Sequence, residues 1–265
     1  MTARVAKLPA AVAELAEPGL RKVVDFQDCG YGALYLDRLD ALLAQDHAPF
    51  DFTREAAKYV AVAMAYDDVI RVADLKTRAQ RFDRIRTEMG LAEGQVLHVT
   101  EFMHPRAEEI VGLMPARLGR RVAASPRLMA LIDRVFNRGR HLRSDHLWAY
   151  VQLYVLGGMK RRRLGSLRHA EEMAHLDHWI GVALQYLPQN YDLATEVIRC
   201  RRLVKGYSDT HSRGLSKFDR VLEGIALICL REDAADWARR LREAALKDEE
   251  GKELDGALQT IGSFA

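Results

Sequence analysis

A chain of 265 residues, 49% apolar and 29% charged, is long enough to bury a substantial core as one large domain or two small ones. Its three cysteines, Cys29, Cys200 and Cys229, are widely spaced and form no CxxC pair, which excludes a disulfide framework and argues against a structural zinc site or an iron–sulfur cluster within this chain. The longest stretch without a charge or histidine, residues 147–159, is far short of the roughly 20 residues a spanning helix needs; with no secretory leader at its start, the chain is expected to be cytoplasmic, with no membrane partner.

The net charge of +3 conceals an asymmetry. Residues 115–168 carry 13 Lys and Arg against 2 Asp and Glu, whereas residues 1–114 and 169–265 are each acidic, at −4. Such a block can steer an acidic partner or bind phosphates. Its cations are not interleaved with aromatics in a stacking pattern, which argues against nucleic acid.

In chain order, the spacing of apolar residues predicts an all-α fold: a compact multi-helix domain with one or more long helices and at most a minor strand. Residues 1–18, with Pro9 and Pro18 around an alanine-rich stretch, read as a connector or short helix. They precede a helical domain over 19–232 and a C-terminal helical extension over 233–265. A helix is expected over 19–45, with Val23, Tyr31, Leu34, Tyr35, Leu39, Leu42 and Leu43 on its apolar side and Gly30 and Gly32 placed for close packing.

The next helix begins near Phe52 or Thr53 and continues to Met89, where Gly90 stops it. On it Asp67, Arg71, Asp74 and Arg78 share a face. With Asp68 they form a candidate polar network at the edge of a buried segment, or a plain ladder of ion pairs worth about 0.2–0.5 kcal/mol each. Residues 95–102 are the one credible strand, with no convincing partner. Short helices are expected over 105–114, 116–124 and 127–137, and a loop over 137–141. A helix over 144–160 is expected to bury Leu147, Val151, Tyr154 and Val155, with Lys160, Arg161, Arg162 and Arg163 complementing its C-terminal dipole. Helices at 167–186, 192–205, 211–231, 233–247 and 251–261 complete the chain.

Residues 203–214, Leu-Val-Lys-Gly-Tyr-Ser-Asp-Thr-His-Ser-Arg-Gly, crowd functional groups between two helices. Lys205 falls in the last turn of the first helix, Gly206 suits a left-handed cap, and Ser208 or Asp209 can accept from the first amides of the next helix. That helix buries Phe218, Val221, Leu222, Ile225 and Ile228. Lys205, Tyr207, Asp209, Thr210, His211 and Arg213 are therefore candidate ligand-binding groups for an anion. The other reading is a structural corner whose polar groups satisfy one another. A Lys205/His211 acid–base pair lacks an accompanying nucleophile.

Glu172 and His175 have the ExxH spacing of metal ligands, with His169, Glu171 and His178 nearby. A carboxylate-bridged metal pair needs a second such motif on a facing helix, and none exists, so these read as solvated surface histidines and no metal is expected. There is no GxxxxGK[ST], GxGxxG, HExxH, GxSxG or GDG.

Four separated segments carry a resemblance. They are Val24-Asp25-Phe26-Gln27-Asp28, Leu34-Tyr35-Leu36-Asp37-Arg38-Leu39, the run Met64-Ala65-Tyr66-Asp67-Asp68-Val69-Ile70-Arg71-Val72-Ala73-Asp74-Leu75-Lys76-Thr77-Arg78, and Leu203-Val204-Lys205-Gly206-Tyr207 with Asp209-Thr210-His211 and Arg213-Gly214. In this order they are similar to the helical domain at the C-terminal end of indolepyruvate:ferredoxin oxidoreductases, over about residues 19–226. Residues 1–18 resemble the connector before that domain, and Ser208 stands where that pattern would have glycine. The resemblance implies thiamine-dependent oxidative decarboxylation of an aryl-2-oxoacid to an acyl-CoA, with electrons passing to ferredoxin. Thiamine diphosphate, iron–sulfur clusters and CoA are then expected on partner catalytic subunits or domains, none on this chain. The chain would be a non-catalytic accessory subunit or domain docking on those catalytic subunits, attracting acidic ferredoxin or holding an anionic ligand. The alternative is a free-standing helical protein that binds an anionic metabolite at the corner formed by residues 205–214.

Overall fold

The computed structural model describes residues 1–92, 94–95, 98–103, 105–137, 139–206, 208–247 and 250–263. Among them fifteen α-helices and a single two-stranded sheet make an all-α fold with a minor strand pair. Following α1 (Thr2–Val5), α2 (Ala10–Phe26) starts earlier than residue 19 and runs through Pro18. The buried series Val12, Ala16, Leu20, Val23 and Phe26 supplies enough burial to carry the helix past a proline that removes one backbone bond.

The expected helix over 19–45 is in fact two. Asp28 turns extended and its carboxylate accepts from the Tyr31 amide at 2.8 Å, starting α3 (Cys29–Leu43). Gly32 does permit close packing: a Cβ there would stand 2.5 Å from Val24 Cγ2, whereas one on Gly30 would approach only the Asp28 carboxylate.

The expected helix over 53–89 is three: α4 (Asp51–Met64), α5 (Val69–Thr77) and α6 (Ala79–Glu88). Asp68 caps α5 by accepting from the Arg71 amide at 2.6 Å, and Arg78 is extended at ψ 133° between α5 and α6. A short carboxylate that can bond the backbone locally offers an alternative to helix continuation, and here it wins.

Strand β1 (Thr100–Met103) is followed by α7 (Ala107–Gly112), α8 (Ala116–Ala123), α9 (Pro126–Phe136) and β2 (Arg140–Arg143). The two strands pair antiparallel, Thr100 opposite Arg143 and Met103 opposite Arg140. The partner that seemed missing thus lies partly in the segment expected to be a loop. Of the strand expected over 95–102, Val96 and Leu97 lie outside the described residues. Then come α10 (Leu147–Gly158), a 3-10 segment Met159–Gly165, α11 (Leu167–Tyr186), α12 (Tyr191–Arg199), a 3-10 turn Cys200–Leu203, α13 (Ser208–Ile228), α14 (Ala234–Lys247) and α15 (Lys252–Gly262). No helix among the described residues is long and apolar enough to cross a membrane.

The chain forms two compact units. Unit one comprises Met1–Tyr66 and Glu172–Ala265. In it α2 packs on α4, α12 on α4 and α14, and α13 on α14 and α15. Its core is continuous from Val12 to Ile261, with Trp179 fully buried and its indole N–H donating to the Val197 carbonyl at 2.8 Å.

Unit two, Asp67–Glu171, contains the whole basic block and carries 20 Lys and Arg against 12 Asp and Glu. Its buried apolar set is small: Ile70, Ala73, Ala107, Val111, Leu153 and Leu167. A buried ion pair ties the base of α5 to the 3-10 segment: Arg163 Nε donates to Asp68 Oδ2 at 2.8 Å and Nη2 to Oδ1 at 3.2 Å. Arg163, expected to complement a dipole in solvent, is only 1% exposed.

The apolar side expected to be buried on α10 faces solvent. Leu147, Val151, Tyr154 and Val155 are exposed together with Trp148, and Leu153 is the helix's buried residue. α10 packs on α5 through another side, where a Cβ on Gly157 would stand 3.0 Å from the Asp74 backbone. The exposed residues therefore lack a cover.

Replacing Asp68 with Ala removes both the α5 cap and the counter-charge of a buried guanidinium, so about 3–5 kcal/mol of stability is expected to be lost. Chemical denaturation would measure it, and Asp68→Ala with Arg163→Met should recover part of the loss. A single-variant loss below about 1 kcal/mol, the size of a surface pair, would show that this pair does not hold unit two together.

Candidate functional site

The corner at residues 203–214 is built from α12 and α13. Asn190 caps α12, its side chain accepting from the Leu193 amide at 2.9 Å. The helix then tightens into Cys200–Leu203 and ends on extended Val204, so Lys205 stands just past the last turn instead of within it. Gly206 has φ 69°, the left-handed conformation expected of it. Gly214 is required by packing: a Cβ there would lie 2.8 Å from the Leu203 carbonyl oxygen and 3.2 Å from Val204 Cα. The first turns of α13 thus press directly on the segment that carries Lys205.

Beneath the corner lies a buried charge cluster. Glu172, on α11, has Arg201 Nη2 at 3.5 Å and His211 Nε2 at 3.0 Å; all three side chains are between 3 and 6% exposed. One turn along α11, His175 is half-buried with its ring 4.9 Å from that of Phe218, and both its ring nitrogens are sealed from water with no hydrogen-bond partner. Desolvation first, then the nearby Arg201 charge, pushes its pKa down from 6.5 to about 4, with Glu172 opposing. The expectation of solvated residues therefore fails for Glu172 and His175, although His178 is exposed. Among the described residues no group of three or more His, Cys, Asp or Glu is placed to hold a metal.

Beside the corner an open groove of about 200 Å³ is lined by Lys205, Thr210, Arg213, Lys217 and Lys247, among others. Lys217 Nζ donates to the Ala245 carbonyl at 3.1 Å, which holds that ammonium in the groove. Of the corner's candidate residues, Lys205, Thr210 and Arg213 come together here. His211 is instead committed to Glu172. Tyr207 lies outside the described residues, as does the side chain of Asp209.

The second candidate set, in unit two, resolves into separate roles. Asp68 is a helix cap and the partner of Arg163. Asp74 accepts from Arg71 at 3.2 Å and from Arg78 at 2.6 Å. Asp67 precedes α5 and is not on its face.

Sequence reasoning missed Glu172, Arg201, Lys217 and Lys247 as parts of the site. The ExxH spacing did mark Glu172, but its partners Arg201 and His211 come from other elements, at no fixed separation. Lys217 follows Arg213 by one helical turn, which could have added it.

Since the unfolded chain takes up a proton at His175 that the folded chain refuses, the stability this residue contributes is complete above pH 6.5 and is lost as pH falls towards about 4. Between pH 7 and pH 5 the urea midpoint should therefore fall further for the native chain than for His175→Leu. Equal falls would show that His175 is not what makes the fold acid-sensitive.

Residues 12–224 match a family described as a family of unknown function, DUF6537. No curated protein and no solved structure matches the chain. The match takes in the buried cluster and the corner up to Gly214, and covers most of the sequence: the chain belongs to the DUF6537 family.

Proposed function

We propose that this chain is a non-catalytic helical subunit or domain of a thiamine-dependent 2-oxoacid:ferredoxin oxidoreductase, acting in the cytoplasm on arylpyruvate-type substrates by docking on the catalytic subunits. Thiamine diphosphate, iron–sulfur clusters and CoA belong to those partners in this reading. The observation that carries it is the uncovered side of α10. Leu147 is 80% exposed and Trp148 74%, with Val151, Tyr154 and Val155 following at helical spacing. Leu128, Leu131 and Val135 make a second such stripe on α9.

Apolar stripes of this size mark protein–protein contacts. Each large side chain contributes about 1.5–3 kcal/mol when fully covered, and since association itself costs several kcal/mol, a stable complex needs most of these side chains covered together. The positive charge of unit two suits acidic partners, ferredoxin among them. The resemblance of four sequence segments to the oxidoreductase domain supports this choice of partner.

The second reading, a free-standing protein that binds an anionic metabolite, is favoured by the cationic groove at the corner. The two readings separate on one experiment: affinity capture of the tagged chain from its host without oxygen, with partners identified by mass and the eluate assayed for CoA- and thiamine-dependent dye reduction by indolepyruvate. Recovery of thiamine-binding and iron–sulfur subunits is expected. Trp148→Asp with Tyr154→Asp, both exposed, should reduce that recovery by about tenfold or more while leaving the thermal midpoint unchanged. A native chain that elutes alone and inactive overturns the accessory reading.

A further inference from the structure

We infer that α9 is a docking surface for an amphipathic helix of a partner protein, one whose apolar stripe is flanked by carboxylates. α9 packs on α7 and α8, yet none of its residues is fully buried. Leu128, Leu131 and Val135 are 44, 58 and 50% exposed. Their spacing of three and then four residues is the a, d, a register by which one helix meets another along a seam. At about 100° per residue, the seam has the half-buried stripe of Met129, Ile132 and Phe136 on one side and the exposed Arg127 and Arg134 on the other. Both arginines fall on the g position, the flank that pairs with a facing helix.

Charge selects the occupant. Residues 115–137 hold five Arg and a single Asp, and Asp133 lies off the seam, accepting from Asn137 Nδ2 at 3.0 Å. Arg117, Arg120 and Arg121 on the adjoining α8 are exposed like Arg127 and Arg134. None of the five has an ion pair among the described residues. At a helix seam the flanking charges decide which partner fits.

A second copy of this chain does not fit. An antiparallel pair of α9 helices sets Arg against Arg across the seam, and a parallel pair sets each Arg against Ile132, which carries no charge. Nucleic acid would answer the arginines and leave Leu128, Leu131 and Val135 in water. A bilayer surface draws on interfacial Trp and Tyr, and α9 has neither. A helix with apolar a and d positions and acidic flanks covers the stripe and meets the guanidinium groups together.

This rests on the docking reading for the existence of a protein partner, but it names a surface that the Trp148 and Tyr154 variant leaves intact, so each can fail alone. The probe is a synthetic peptide of about three heptads with Leu at a and d and Glu at e and g, which presents acid to the arginines in either direction. Its counterpart with Lys at e and g is the control. Fluorescence anisotropy with the full chain should give the Glu peptide a Kd at or below about 0.1 mM, weakening with added salt, and no binding of the Lys peptide. Arg127→Glu with Arg134→Glu should weaken the Glu peptide at least about tenfold and admit the Lys peptide, a gain that misfolding cannot produce. Leu128→Ser with Leu131→Ser, at exposed positions, should abolish binding, whereas Trp148→Asp with Tyr154→Asp should leave it unchanged. No binding of the Glu peptide, equal binding of both peptides, or a preference that charge reversal does not invert would each overturn the assignment. Binding to vesicles of phosphatidylcholine and phosphatidylglycerol that the reversed variant loses would also overturn it, by giving α9 to a membrane surface.

Discussion

A carboxylate taken out of water must be met by cations where it sits, at a desolvation cost of several kcal/mol per ion. Glu172 imposes that condition on unit one. The Arg201 guanidinium that answers it comes from the 3-10 turn after α12 and the His211 ring beside it from the first turns of α13, so one buried charge ties three helices. Arg201 and His211 are held inward, and Gly214 lets Leu203 and Val204 lie against α13. Lys205 is thereby left at the edge of the groove, where Arg213 and Lys217 also arrive by helical repeat. A structural cluster and a candidate binding groove thus share one turn, with His211 on the inner side and Arg213 on the outer.

Asp68 imposes the same condition on unit two, but in a poorer apolar setting. Its carboxylate is shared between the Arg71 amide and the Arg163 guanidinium. Unit two buries few large apolar side chains while exposing many, among them Trp148, Tyr154 and Leu131. The ladder of Arg71, Asp74 and Arg78 adds only the few tenths of a kcal/mol per pair usual for exposed helical pairs.

Helix content and most helix positions were legible from period and turn residues, because those signals are local. The breaks were not. Asp28 and Asp68 look like surface acids inside helical runs, and only the burial of their neighbours makes the cap the better use of each carboxylate. The orientation of α10 was misread for a related reason: apolar spacing shows that a helix has two sides, not that the apolar side faces inward. Arg163 could not be told from Lys160, Arg161 and Arg162 by sequence, since what singles it out is an aspartate 95 residues earlier. At the corner the residue types were read but their directions were not, so His211 and Lys205 were grouped although they face different surroundings.

The two units meet different physical demands. Unit one has a continuous core, and the groove on its surface therefore has walls that stay in place. Unit two offers area instead of shape: exposed apolar stripes with cations around them, which gain by being covered and exert a long-range pull on acidic surfaces. Neither feature is needed for a helical fold to be stable. Exposed Trp and Leu on α10 cost solubility. That cost would be removed by an apolar partner with an acidic rim, which is why the proposed function turns on the exposed side of α10.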